Sequence, residues 1–272
     1  MQSSFTPNRM DSAKMSSLIE ENLNAKSMDF ARLPGGSVHM SNPAWFTSGL
    51  RRAGYNGITC ARFSPHELDQ QIENCLKPFR ANKTPLTWWV GPLSEPGNLG
   101  RALQMHGFSH NRDMIGMAAE LNALPKFIPQ QQEFHFEPVL ERTGLEAWLP
   151  LFMETFGVPA DDKDLTLNIF DPLSFSPGSQ WRHYLMRMDG QVVATSSLHL
   201  GAGVAGLYNI ATRPEYRGQG LGRAITLLTY QEAQNMGYTV GILQTTYPNA
   251  LRLYHRLGFE VYCKIGVYQN SW

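Results

Sequence analysis

Ile210-Ala211-Thr212-Arg213-Pro214-Glu215-Tyr216-Arg217-Gly218-Gln219-Gly220-Leu221-Gly222 is the stretch on which the reading of this 272-residue chain turns. It joins a strand-like run, Gly206 to Thr212, to a segment in which Leu221, Ala224, Ile225 and Leu228 recur at i, i+3, i+4 and i+7. That period lays one apolar face of a helix on a sheet. Asn235-Met236-Gly237 supplies its stop, with glycine at the left-handed position. A strand, a glycine-rich loop and a helix together suit an anion. Glycines let the backbone approach closely, and the helix start offers free N–H groups and a positive dipole end. Two nucleotide templates fail. No Lys-Ser/Thr follows the glycines, as a Walker loop requires. Counted from Gly218, the third glycine of a dinucleotide fingerprint falls on Arg223. What remains is R-x-x-G-x-G, carried by Arg217, Gly220 and Gly222.

Further on, Thr239 to Gln244 reads as a strand, and Pro248-Asn249 opens a helix with Ala250, Leu253, Tyr254 and Leu257 on one face. Gly258 ends that helix and Phe259 folds back on its last turn. The second motif is therefore N-A-x-x-L-Y-x-x-x-G-F. The two motifs, in this order and at this spacing, resemble the GNAT superfamily of N-acetyltransferases. The likeness is specific over residues 204–268 and weaker over 134–203.

The resemblance implies acetyl-CoA as co-substrate, held in a V-shaped gap between strands 206–212 and 239–245. The pantetheine arm would pair with the backbone of Ile210, Ala211 and Thr212. The pyrophosphate would lie on Arg217, Gly218, Gln219, Gly220, Leu221, Gly222 and Arg223. Asn249 matches a CoA-contacting position, and Tyr254 matches the general acid. A phenol with pKa about 10 can protonate a departing thiolate whose own pKa is about 8.5. A backbone N–H of 210–212 is the natural oxyanion donor. The general base stays open among Glu154, Asp161, Asp162, His199 and Tyr208. The acidic run Asp161, Asp162 and Asp164 would attract a cationic amine, or is simply a solvated loop.

Outward from this core, the period-2 runs His183–Met188 and Gln191–Leu200 form a hairpin turned at Asp189-Gly190. Thr143-Gly144-Leu145-Glu146 is a capping-box pattern opening a helix to Phe156. Phe134 to Leu140 is a strand that Pro138 places at an edge. Residues 122–133 are proline-broken and polar, as linkers are. The expected domains are 1–125, a linker at 126–133, and an acetyl-CoA-binding domain at 134–272.

The N-terminal half echoes the other. Gly107-Phe108 aligns with Gly258-Phe259, Asn98 with Asn249, Ala102 with Leu253 and Leu103 with Tyr254. Strands are expected at Tyr55–Phe63 and Pro85–Val90, with a helix capped at Ser64-Pro65-His66-Glu67 and a further helix at Met15–Leu23. Between Phe63 and Ser64 there is no room for R-x-x-G-x-G, and Leu103 cannot give a proton. This half resembles a degenerate GNAT domain, as in tandem-GNAT proteins. The fold class is α/β, two GNAT-like units with mixed sheets, the C-terminal one complete and splayed.

Composition narrows the function. Lys+Arg and Asp+Glu number 23 each, which argues against a basic nucleic-acid face. No apolar run spans a bilayer and no secretory signal starts the chain, so a cytoplasmic protein is expected. Cys60, Cys75 and Cys263 form no C-x-x-C pair and read as reduced thiols. His106 and His110 are spaced i, i+4, but Gly107 separates them, so no metal is expected. The expected activity is acetyl transfer to a small-molecule or peptide amine. The alternatives are a longer acyl donor or a CoA-binding protein without turnover.

Overall fold

The computed structural model describes residues 10–127 and 134–270, so most of the expected linker lies outside the described residues. Its first half contains α1 (Ser12–Met28), β1 (Ser37–His39), β2 (Ala44–Thr47), β3 (Gly57–Thr59), α2 (Leu68–Ala81), β4 (Leu86–Val90), α3 (Leu99–Met105) and β5 (Ser109–Glu120). The second half contains β6 (His135–Val139), α4 (Arg142–Phe156), α5 (Lys163–Phe175), β7 (Trp181–Met188), β8 (Gln191–Gly201) and β9 (Val204–Thr212). It closes with α6 (Leu221–Asn235), β10 (Val240–Thr245), α7 (Pro248–Leu257) and β11 (Glu260–Asn270).

All eleven strands join one mixed sheet in the order β1-β2-β3-β4-β11-β5-β10-β9-β8-β7-β6. Helices α1, α4 and α5 share one apolar cluster that includes Trp89, Trp148, Ile242 and Val267. Helices α6 and α7 pack with Met117, Leu207 and Leu243. Helices α2 and α3 cover Ile58, Leu86 and Trp88. Trp88 and Trp89 are neighbours in β4 and so point to opposite faces, which is how one strand serves two clusters.

Each half contains one parallel pair, β3 with β4 and β9 with β10. The strand that follows each pair in sequence crosses to the other half. β5 pairs with β10, Ala118 opposite Ile242. β11 pairs with β4, Val267 opposite Trp89. The two exchanged strands also pair with each other along most of their length. The halves are therefore interlocked through backbone hydrogen bonds.

Several local expectations meet different geometry. The strand at 55–63 is only three residues long, because Cys60 adopts φ 51° and ends it. Ser64 makes no side-chain cap; Pro65–Glu67 is a 3-10 turn, and Glu67 bonds Gln71 instead. Thr143 likewise does not cap α4, since its hydroxyl donates to Glu141. Asp11 caps α1, which is longer than its apolar pattern suggested. The hairpin turn stands as expected, with φ 47° at Asp189 and 78° at Gly190. Among the described residues no helix is long and apolar enough to cross a membrane.

Candidate functional site

β9 and β10 pair over only three positions, Ala205 with Gly241, Gly206 with Ile242 and Leu207 with Leu243. Beyond Leu243, β10 keeps only β5 as a partner, and beyond Leu207, β9 keeps only β8. The cause is a bulge. Tyr208 faces Ser197 and Ala211 faces Thr195, so Asn209 and Ile210 together oppose Ser196. Asn209 takes φ 54° to make this possible. A bulge bends its strand and increases the local twist. The two strands diverge from that point.

Arg213 N donates to Val193 O at 2.9 Å. Alternation along an antiparallel pair then turns the N–H of Thr212 away from β8 and into the gap. Ile210 lies two residues before it and faces the same way. Ala211 instead belongs to the ladder with Thr195, so its backbone groups point to β8.

The loop after β9 makes one 3-10 turn, Pro214–Tyr216, and then two left-handed glycines, Gly218 at φ 78° and Gly220 at φ 85°. A Cβ at either would meet nothing within 4 Å, so conformation rather than crowding requires glycine there. Gly220 is the N-cap of α6 and supplies no side-chain acceptor. Among the described residues, the amides of Gly218, Gly220, Leu221, Gly222 and Arg223 have no hydrogen-bond acceptor. Five unsatisfied donors at the positive end of a 15-residue helix make an anion cradle.

Arg217 and Arg223 are exposed beside it, and Arg217 Nε donates to Thr212 O at 3.1 Å. Gln219 reaches back to Glu215 O at 3.2 Å. Helix α7 abuts the loop, for a Cβ on Gly222 would stand 3.6 Å from Leu253 Cδ2. Asn249 is exposed in the first turn of α7 and accepts from Arg252. Tyr254 is buried on the same helix, edge-on to Phe259 at 6.0 Å. Among the described residues its hydroxyl has no hydrogen-bond partner. Burial pushes its pKa above that of an ordinary phenol, so it is protonated at neutral pH.

Residues 145–259 match the model of the Acetyltransferase (GNAT) family. Over this segment the chain matches the GNAT acyltransferases. A relative at 28% identity over 123 residues is the [ribosomal protein bS18]-alanine N-acetyltransferase of Escherichia coli K12, matched over 44% of this chain and 78% of the relative. Among solved structures, a GCN5-related N-acetyltransferase from Kribbella flavida superposes with TM-score 0.72 at 21% identity, covering 96% of both chains. A tandem GNAT protein from the clavulanic acid biosynthesis pathway gives 0.58 at 12% identity, over 97% of this chain and 96% of that one. These two likenesses establish the GNAT fold across both halves.

On the opposite face of this GNAT sheet, the sequence candidates for a base have different surroundings. Asp162 is held by the Arg52 guanidinium, Nη2 to Oδ1 at 2.7 Å. Asp161, Asp164 and Glu154 are exposed. His199 is fully buried; its Nε2 donates to Asp29 Oδ2 at 3.0 Å, and burial lowers its pKa. The Tyr208 hydroxyl donates to Asn22 Oδ1 at 2.7 Å, and burial raises its pKa. His106 bonds Glu73 and Asp69 from its two ring nitrogens, while His110 bonds Asp113. Among the described residues no group of three His, Cys, Asp or Glu is placed to hold a metal.

Sequence reasoning missed two features. The first is the docking place of α1, whose Asn22, Lys26 and the following Asp29 lie against β8 and β9. No local pattern marks a helix for a strand some 180 residues away. The second is a directional chain behind the bulge. Asn209 Nδ2 donates to Ser197 Oγ at 3.2 Å, which donates to His183 Nδ1 at 2.7 Å. His183 Nε2 donates to Ser174 Oγ at 2.8 Å, which donates to Phe170 O at 2.5 Å. The Ser197-to-Nδ1 link requires neutral His183, and burial lowers its pKa to about 3.

Proposed function

We propose that this chain transfers an acetyl group from acetyl-CoA to an amine of a small molecule or peptide, by direct attack in a ternary complex. The observation that carries this reading is the splayed β9–β10 pair opening onto five unpartnered amides at the start of α6. Acetyl-CoA supplies the activated thioester carbon. The backbone edge at Ile210 and Thr212 would align its pantetheine arm as an added strand does. Loop amides and Arg217 would hold the pyrophosphate. A backbone N–H near the bulge would stabilise the oxygen as negative charge develops. The Tyr254 hydroxyl, protonated and unpartnered, would donate to the departing thiolate. Asp162 is already paired, so proton removal from the amine falls to a water or to an exposed carboxylate. The bacterial relative's named acceptor, a ribosomal-protein alanine, supports keeping a peptide amine in the class.

Thermal unfolding with and without acetyl-CoA tests the reading, with Gly220→Glu as control. Ligand at 100 times its dissociation constant should stabilise the wild type by about 2.7 kcal/mol. The variant places a carboxylate where the pyrophosphate would lie and should lose that gain. No stabilisation at millimolar acetyl-CoA would overturn the proposal. Stabilisation only by longer acyl-CoA would change the donor. Stabilisation without turnover of any amine would leave a CoA-binding protein.

A further inference from the structure

Lys26 is an amine that α1 holds over Tyr208 of β9. It projects from α1 across the side of the sheet opposite α6. Its Nζ stands 5.3 Å from the centroid of the Tyr208 ring and 5.8 Å from that of Phe30. Tyr208 directly precedes the bulge residue Asn209, so the lysine lies beside the point where β9 and β10 part. The side chain is half-buried. Among the described residues its ammonium makes no hydrogen bond or ion pair, and the Asp29 charge acts on it only at longer range. The nearby Asp29 carboxylate is already shared between His199 and Arg32.

Two aromatic faces and a helix position this amine without neutralising it. A lysine that stabilises a fold through an ion pair is held charged. This one is held by ring faces and desolvated, and burial lowers its pKa to about 8. About a tenth of the molecules then carry a neutral amine at pH 7, against well under a hundredth for an ordinary lysine. Position and protonation state thus meet the two demands of an acetyl acceptor.

We infer that Lys26 is a site of self-acetylation, in which the chain transfers acetyl from its own bound acetyl-CoA to Lys26 Nζ. This rests on the acetyl-CoA reading above. The Nζ lone pair forms the new C–N bond and the C–S bond breaks with its electrons on sulfur. One Nζ proton ends on the thiol, and the products are acetyl-lysine and CoA. The Tyr254 hydroxyl serves the thiolate from the other face of the sheet. Acetylation removes the cation from the two rings and leaves an amide over Tyr208.

The test incubates the full-length protein with acetyl-CoA and maps acetyl-lysine by peptide mass spectrometry, using exposed Lys14 on the same helix as internal comparator. Lys26 should be acetylated at least tenfold faster than Lys14. Its rate constant should not depend on protein concentration, and excess CoA should suppress it. Trace labelling with acetic anhydride supplies a readout without turnover: CoA should protect Lys26 and leave Lys14 unchanged. Lys26 modified no faster than Lys14, or modified at a rate indifferent to CoA, would overturn the inference. Thermal stabilisation by acetyl-CoA, measured in parallel, separates the two proposals. Stabilisation with an inert Lys26 sinks only the self-acetylation, whereas no stabilisation sinks both.

Discussion

Past Ile58 in one half and past Leu207 in the other, the backbone does the same thing. Each is the last residue paired with its parallel neighbour, Trp88 and Leu243. Two residues later each chain enters the left-handed region, Cys60 at φ 51° and Asn209 at φ 54°. The helices that follow β4 and β10 end alike, with Phe108 N donating to Leu103 O and Phe259 N to Tyr254 O, both at 3.0 Å. What differs is the occupant of the gap. In the N-terminal half the chain fills it. Glu95 N donates to Ala61 O at 2.8 Å and Phe63 N donates to Glu95 O at 2.9 Å. Glu20 of α1 closes the other side, accepting from Leu93 N at 2.6 Å. In the C-terminal half Ile210 and Thr212, the counterparts of Ala61 and Phe63, keep that edge open. The same backbone gap thus becomes part of the packing in one half and stays open in the other.

The largest test of this contrast is stoichiometry. Calorimetric titration should find one acetyl-CoA site per chain, and a second site would mean that the segment around Glu95 yields. Next comes Tyr254→Phe against Leu103→Met at the matching position. The phenol's removal should cost about 10²- to 10⁴-fold in turnover with acetyl-CoA stabilisation kept. The leucine change should leave turnover within a factor of a few.

Glu20 offers a third test. It is fully buried, its Oε1 has no partner among the described residues, and burial raises its pKa to about 7. A carboxyl raised above its unfolded value favours folding most when protonated. Its contribution is complete below pH ~4.5 and is lost as pH rises to about 7. Urea denaturation should show Glu20→Gln gaining on the wild type across that window, by on the order of 3 kcal/mol at pH 8. A constant difference between the two proteins would refute the assignment. The smallest effect should come from Ser197→Ala, which leaves Asn209 Nδ2 and His183 Nδ1 without their partner behind the open gap. About 1–3 kcal/mol of stability should be lost, with KM for acetyl-CoA rising as the bulge loosens. An unchanged KM would mean that the bulge stands without its side-chain chain.

Much of this was legible in residue order because it is local. Glycines at 218 and 220 after a strand specify a bare helix start, since that left-handed backbone needs them. Gly258-Phe259 and Gly107-Phe108 specify helix stops, and Asp189-Gly190 specifies a hairpin, for the same reason. The absence of the loop and of the tyrosine from the first half was equally visible. Capping at Ser64 and Thr143 was misread because a capping motif competes with other nearby acceptors, and Gln71 and Glu141 prevailed.

Tertiary structure alone decided the exchange of β5 and β11, the closure of the N-terminal gap by Glu20 and Glu95, and the placing of Lys26 over Tyr208. A strand's alternating pattern says which face is buried but not which distant edge it joins. A polar residue on a helix says nothing of the sheet it will lie against. Those outcomes depend on which non-local pairing buries the most apolar surface while satisfying every backbone donor. That balance is struck only when the whole chain is folded.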